Sequence, residues 1–238
     1  MDLTPTAFFD LSTPGAGRIF EAAQFPWSPL DTLAELVLSM TGSSQTLNGR
    51  VSPGAFIGEA PIFIAEGAEI EPGAYIIGPA YIGPGAVVRH GAYVRENVIL
   101  LNGSLLGHAS EAKHSILLAG AHAPHFNYVG DSILGVDVNL GAGTKLSNLA
   151  INSKKDPRTG KRPTIKLHHD GVEFDTGLAK LGAVLGDGVQ TGCNAVLNPG
   201  CIVGPRTLIY PNLSLRKGVH PAGSVIKLRQ RTSVIPRR

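Results

Sequence analysis

The sequence predicts an all-β chain wound as a parallel β-solenoid, and three observations carry that expectation. An aliphatic residue returns at every sixth position, a small or β-branched residue follows four places behind it, and Gly and Pro crowd the intervals between. A period of six fits neither the 3.6-residue helix nor a simple alternating strand. It fits a short strand followed by a tight corner, with three such units to a coil and successive coils stacked as parallel strands about 4.8 Å apart.

The repeat is most regular from Ile64. Ile64, Ile70, Ile76, Ile82, Val88, Val94, Leu100 and Leu106 form the aliphatic series, and Ala68, Ala74, Ala80, Ala86, Ala92, Val98, Ser104 and Ser110 form the small one. Corners such as Glu71-Pro72-Gly73 and Gly83-Pro84-Gly85 supply the turns. A second run follows a long interruption: Leu185, Thr191, Leu197, Val203, Ile209 and Leu215, with partners Val189, Ala195, Cys201, Thr207, Leu213 and Val219. Leu134 and Leu140, with Val138 and Thr144, form a short run in a shifted register. The aliphatic series points inward and supplies the core; the small series sits where the wall bends.

The flanks divide the chain. Residues 1–50 lack the repeat and hold a short helix expected over Pro29 to Met40, read as a cap on one open end of the solenoid. Residues 51–225 form the solenoid, interrupted over 147–180 by a polar, basic inserted loop whose length points to function. Residues 226–238 form a tail without repeat.

Composition narrows the classes. With 43% hydrophobic, 16% charged and 6% aromatic residues the chain is not disordered, and its 30 Gly do not follow the collagen period. A net charge of +3 selects no partner by itself. Two basic clusters stand out, one from Lys154 to Lys166 and one of Lys227, Arg229, Arg231, Arg237 and Arg238. They suit phosphate-bearing small molecules; no motif or aromatic pattern points to nucleic acid. Cys193 and Cys201 occupy different repeat positions, so no bridge between them is suggested. Free thiols, no leader and no apolar run near the ~20 residues of a membrane span give a cytoplasmic expectation.

Between Leu106 and Leu134 the hexad phase slips and polar residues crowd in: Glu111, Lys113 and His114, then His125, Phe126, Asn127, Tyr128, Gly130 and Asp131. Local rule-breaking in a regular fold is where function is expected. The His-x-x-Tyr-x-Gly-Asp block at 125–131 and the Val-Asn-x-Gly-Ala-Gly-Thr block at 138–144 are followed by Asn148 and Lys154, and later by Lys180 to Ala183 and Gly192 to Asn194. This text resembles the acetyltransferase domain of the bifunctional N-acetylglucosamine-1-phosphate uridyltransferase/glucosamine-1-phosphate acetyltransferases. It resembles still more the C-terminal domain of archaeal-type sugar-1-phosphate nucleotidylyltransferases. The likeness covers roughly residues 60–220.

The resemblance implies a left-handed, hexapeptide-repeat β-helix, against the usual right-handed crossover, and an acyl-CoA-dependent N-acyltransferase acting on an amino-sugar phosphate such as a hexosamine-1-phosphate. It implies acetyl-CoA as co-substrate and a homotrimer with sites between adjacent subunits. By the same resemblance His125 is the general base, Glu111 orients its ring, and the Ala142 amide stabilises the oxyanion. Lys113 binds the acceptor phosphate, Tyr128 and Asn139 hold the sugar, and Asn148 and Lys154 line the same site. Lys180, Cys193 and Ala142 face the coenzyme. For the phosphate-binding arginine both Arg89 and Arg95 are candidates, Arg89 having the more family-like neighbours.

The sequence departs from the family in lacking any Gly-rich nucleotidyl-transfer signature, which leaves room for a separate nucleotidylyltransferase partner. Two other readings stand beside the enzyme. One is a non-catalytic sugar-phosphate-binding or assembly subunit. The other is a metal-dependent, carbonic-anhydrase-like solenoid, for which His90 and His108 lie 18 residues apart, one coil of the repeat, with no clear third ligand.

Overall fold

The structure is a computed structural model that describes residues 2–229 together with Ser233, Ile235 and Pro236. Arg231, Arg237 and Arg238 of the basic tail lie outside the described residues. From Thr46–Leu47 to Val225–Ile226 the chain winds through strands of two to four residues. Strands of successive coils pair in parallel and build three walls, two of nine strands and one of eight. The first wall contains Ile62–Ile64, Ala80–Ile82, Val98–Leu100 and Ser115–Leu117; the second Val87–Val88, Leu105–His108 and His122–His125; the third Tyr93–Val94, Glu111–Lys113 and Tyr128–Gly130.

The interior is the expected ladder. Ile64, Ile70, Ile76, Ile82, Val88, Val94, Leu100 and Leu106 are all fully buried, with the alanines of the small series packed among them. Each buried aliphatic side chain contributes about 1.5–3 kcal/mol relative to exposure, which explains how a chain poor in aromatics holds a core. Val219 departs from the expected pattern. It pairs with Ile202 on the outer side of the first wall, and Gly218 takes the inward place beside Cys201.

The phase slip has a simple origin. Ile82 pairs with Leu100, 18 residues on, but Leu100 pairs with Leu117 and Leu117 with Leu134, each 17 residues on. The missing residue is taken from the corner between the third and first walls, at His114 and again at Asp131. Both adopt left-handed φ of 46°, a conformation sparsely used by residues with a Cβ. Ser115 Oγ donates to the Lys113 carbonyl at 2.7 Å and Ser132 Oγ to the Gly130 carbonyl at 2.7 Å, closing each shortened corner in the same way.

The first wall is buried on both sides, which is why its strands read as unbroken apolar runs. Phe63, Tyr81, Ile99, Ile116, Ile133, Val184, Ile202 and Val219 form its outer column. Against it lies the N-terminal segment, with Phe8, Phe9, Phe20, Trp27, Leu30, Leu33 and Val37 buried in a second core. Its helix runs over Leu33–Thr41, preceded by a 3-10 turn at Ser28–Leu30, and touches Ala80–Ile82 and Ile62–Ile64. The segment therefore clads the side of the solenoid instead of capping its end, because the outer column of the first wall offers more apolar surface than one open coil. Asp187 fastens it there: its carboxylate accepts from the Asp10 amide at 2.6 Å and the Val136 amide at 2.7 Å.

The insertion carries an antiparallel hairpin, Lys166–His169 with Val172–Asp175, where the sequence predicts a loop. Ile165, Leu167, Leu178 and Leu181 pack into the same second core, and Phe174 meets Phe25 edge-on at 5.8 Å. The two ends of the insertion close on one another, the Leu181 amide donating to the Asn148 carbonyl at 3.1 Å. Cys193 and Cys201 are both free, the first exposed and the second buried. Among the described residues no helix is long and apolar enough to cross a membrane.

Candidate active site

The corner between the second and third walls stacks one residue from each coil. His108 and His125 are in register, and the carbonyls of His108, His125, Ala142 and Cys193 each accept from the following coil, at 2.9 Å from Phe126, 2.9 Å from Gly143, 2.8 Å from Asn194 and 3.0 Å from Asn212. His90, His108, His125, Ala142 and Cys193 thus form one column, and Pro72 and Pro211 occupy the same corner position in other coils. A proline fits there because the amide at that point of the turn is not needed by the ladder. The Ala142 amide, one coil from His125, likewise makes no backbone hydrogen bond among the described residues.

His125 is exposed, and Asn127 braces the turn that carries it. Asn127 is 2% exposed. Its Oδ1 accepts from the His125 amide at 3.0 Å, while its Nδ2 donates to the Gly141 carbonyl at 2.9 Å. One side chain therefore ties the imidazole-bearing turn to the turn holding the Ala142 amide. Its own amide donates to Ser110 Oγ at 3.1 Å, which anchors it to the coil before. In the sequence Asn127 belongs to the polar stretch but is assigned no role; its place inside the 125–131 block was the available signal.

A second group lies on the outer face of the third wall. Glu111 is in register with Tyr93 before it and Tyr128 after it, and Lys113 with Gly130. Arg95 Nη1 donates to Glu111 at 3.0 Å, Arg95 Nε lies 3.4 Å from Glu96, and Lys113 Nζ lies 3.5 Å from Glu96. Burial pushes the Glu96 carboxyl up, but a backbone hydrogen bond and the charges of Arg95 and Lys113 outweigh it and hold the group below its ordinary value. Gly130 gives Tyr128 room: a Cβ there would stand 2.6 Å from the phenol oxygen. Burial, then the charges of Glu111 and Asp131, push the Tyr128 hydroxyl up, so it stays neutral and able to donate; a hydrogen bond with Asn148 opposes this. Asn148 in turn donates to the Asp131 carboxylate.

The expected residues fall into separate places. His125, Ala142 and Cys193 share the corner column, while Lys113, Glu111, Tyr128 and Asn148 belong to the third wall. Asn139 lies on the second wall, paired with His122 and Gln190. Lys154 is exposed in the insertion, and Lys180 lines a cavity at the far corner. Glu111 engages Arg95 and makes no hydrogen bond to His125 among the described residues. Arg89 sits one residue ahead of the corner column, away from the third-wall cluster; Arg95 is within that cluster, a placement legible from the 18-residue step to Lys113.

His90 and His108 do not form a shared metal pair within the chain. Their rings stack in parallel, 8° apart with centroids at 5.5 Å, and each Nδ1 bonds a carbonyl of the coil before, at 2.7 Å and 2.9 Å. Two ligands on one zinc must both lie about 2.0–2.1 Å from it, closer than this stacking permits. Among the described residues no three His, Cys, Asp or Glu are grouped to hold an ion.

No family model matches the chain. Over 194 residues it is 36% identical to the bifunctional sugar-1-phosphate nucleotidylyltransferase/acetyltransferase of Sulfurisphaera tokodaii, covering 82% of this chain and 45% of that protein. The chain is a homologue of the C-terminal region of these bifunctional proteins. The bifunctional protein GlmU of Methanococcus aeolicus is 30% identical over 202 residues, 85% of this chain and 46% of that one. The chain thus spans about half the length of these relatives. Solved structures similar to it include a hexapeptide transferase family protein from Anaplasma phagocytophilum, 18% identical over 71% of this chain and 78% of that one (TM-score 0.28). The acetyltransferase domain of PglB from Neisseria gonorrhoeae is 16% identical over 78% and 92% (TM-score 0.34). The hexapeptide-repeat β-solenoid expected from the sequence is the fold observed.

Proposed function

We propose that this GlmU-like chain is an acyl-CoA-dependent N-acyltransferase whose acceptor is the amine of a hexosamine-1-phosphate or a related amino-sugar phosphate. The observation that carries the reading is the exposed His125 on a turn that Asn127 braces, one coil from the Ala142 amide, which has no backbone partner among the described residues. The relatives' names, which include acetyl transfer and sugar-1-phosphates, favour the same chemistry.

The acceptor amine attacks the thioester carbonyl and His125 takes its proton. An imidazole can both accept and return a proton near neutral pH, which suits that exchange. The tetrahedral oxyanion accepts from the Ala142 amide. The C–S bond then breaks, the amide forms, and the leaving thiolate takes a proton from the imidazolium. No covalent enzyme intermediate is needed, since the thioester is already activated.

On this reading Lys113 and Arg95 hold the acceptor phosphate, Tyr128, Asn139 and Asn148 the sugar, and Cys193 lies toward the coenzyme thiol, with Lys154 and Lys180 reaching a bound ligand from the insertion. Because these residues lie on two walls, the site is completed by a second copy, in a cytoplasmic homotrimer. The cladding of the first wall favours this arrangement, as it leaves the second and third walls for contact between subunits.

The test is thiol release from acetyl-CoA with glucosamine-1-phosphate and other acceptors. Wild type is expected to turn over, and His125→Ala to lose about 10²–10⁴-fold in kcat. An inert wild type that binds the sugar phosphate would instead support a non-catalytic subunit. Light scattering that gives a monomer at micromolar concentration overturns the trimer.

A further inference from the structure

A sizeable cavity lies away from the His125 column. It occupies about 810 Å³ where three parts of the chain meet: the shortened corner at His114 and Asp131, the N-terminal segment at Leu30 and Asp31, and the insertion. Lys155, Lys161, Arg162 and Lys180 line it. Among the described residues Lys155, Lys161 and Lys180 form no ion pair, and Arg162 reaches only the Ser153 carbonyl. Of the two carboxylates present, Asp131 is 6% exposed and engaged by Asn148. Leu30, Leu149 and Leu178 add apolar surface to the same lining.

We infer that this cavity is a nucleotide-binding site that recognises a diphosphate through Lys155, Lys161, Arg162 and Lys180 and a flat apolar ring through Leu30, Leu149 and Leu178. The charge argument is one of imbalance. Four cations line one concave surface, and the protein supplies too little negative charge to neutralise them. Size adds to it. A cavity of 810 Å³ falls in the range of small-molecule sites and greatly exceeds a single phosphate. The mixed lining fits one ligand with an anionic end and an apolar end, which a sugar phosphate lacks. The corner also explains the placement: removing one residue from each of two coils at His114 and Asp131 leaves a recess that the insertion then roofs.

The same chemistry has two sources, a free nucleotide or the nucleotide end of coenzyme A, and a binding experiment separates them without relying on turnover. ADP, UDP and coenzyme A are titrated calorimetrically into the full chain with a metal chelator present. Binding is expected to weaken at least tenfold in K161A/R162A and in K180A, and to weaken as salt rises. It is expected to be unchanged in His125→Ala, which separates this site from the acyl-transfer corner. Because Lys161 and Lys180 are exposed and Arg162 makes a single hydrogen bond within the insertion, the variants are expected to unfold at the wild-type temperature, checked by thermal melts. Binding of all three ligands through these residues identifies the diphosphate as the recognised group. Coenzyme A alone assigns the cavity to its nucleotide end, and ADP and UDP alone assign it to a separate nucleotide. No binding at millimolar ligand overturns the inference. So does binding lost in K113A but retained in K161A/R162A.

Discussion

Asn127→Ala is the sharpest probe of how the candidate base is held. The substitution removes the acceptor of the His125 amide at 3.0 Å and the donor to the Gly141 carbonyl at 2.9 Å, from a side chain only 2% exposed. A buried polar group left without its partner costs about 1–3 kcal/mol. A loss of about 2 kcal/mol lowers the Tm of a chain this size by about 4–8 °C. The kinetic effect has a different origin. Without the brace, the turn bearing the imidazole and the turn bearing the Ala142 amide move independently, and a misplacement near 1 Å costs up to about 100-fold. The expected kcat for thiol release is therefore about 10–100-fold below wild type, with the KM for acyl-CoA little altered. Asn127→Asp refines the test, since it keeps an acceptor for the His125 amide but sets an oxygen against the Gly141 carbonyl; its kcat is expected near that of the alanine variant. If Asn127→Ala melts several degrees lower yet keeps kcat within twofold, the geometry of this corner does not govern the chemistry, and the assignment of His125 as base fails with it.

Arg95→Ala removes a charge-assisted contact beside Lys113 and is expected to raise the KM for the sugar phosphate about 10–100-fold, whereas Arg89→Ala stays within threefold; steady-state kinetics decide between them. Asp187 is pushed above its ordinary value by burial, ahead of the Asp10 and Val136 amides that pull it down. The folded chain therefore binds this proton more tightly than the unfolded chain. Its contribution to stability is present below the usual carboxylate range and is lost as pH rises through the raised value. Urea unfolding from pH 3.5 to 7 is expected to show that loss in wild type and not in Asp187→Asn. Burial pushes the Cys201 thiol up to about 12, so iodoacetamide at pH 8 is expected to label Cys193 alone in the folded chain, and coenzyme A to slow that labelling. Labelling of both cysteines at equal rates, read by mass spectrometry, contradicts the buried position of Cys201.

What was legible in the sequence followed from periodicity. The aliphatic and small series are fixed by a narrow interior that admits one kind of side chain at each step, so Ile64 to Leu106 were read correctly from spacing alone. The cladding was less visible, although strands such as Val98–Leu100 and Ala183–Leu185, apolar at every position, already signal a wall buried on both faces. The hairpin at Lys166–Asp175 was hidden because its strands are polar on their exposed side and gain their burial from a distant segment. The candidate site was legible as residue types but not as a map. Hexad counting carries an error of one residue through each shortened corner, at His114 and Asp131, which shifts every position after them, whereas Arg89 and Arg95 lie ahead of both and differ by one wall of the same coil. Asn127 was given no role because that role lies in two backbone contacts that no spacing encodes.

The hydrogen bond between Leu181 and Asn148 has a consequence for how such a chain can change. Because the excursion between them begins and ends one rung apart, its length is decoupled from the stacking of coils, and doubling a loop adds only about 0.6 kcal/mol of closure entropy. New segments can be spliced at this seam, or removed from it, while the scaffold on either side keeps its register. The recess beneath the seam then becomes a place where binding specificity can be rewritten without touching the corner where the proposed reaction takes place.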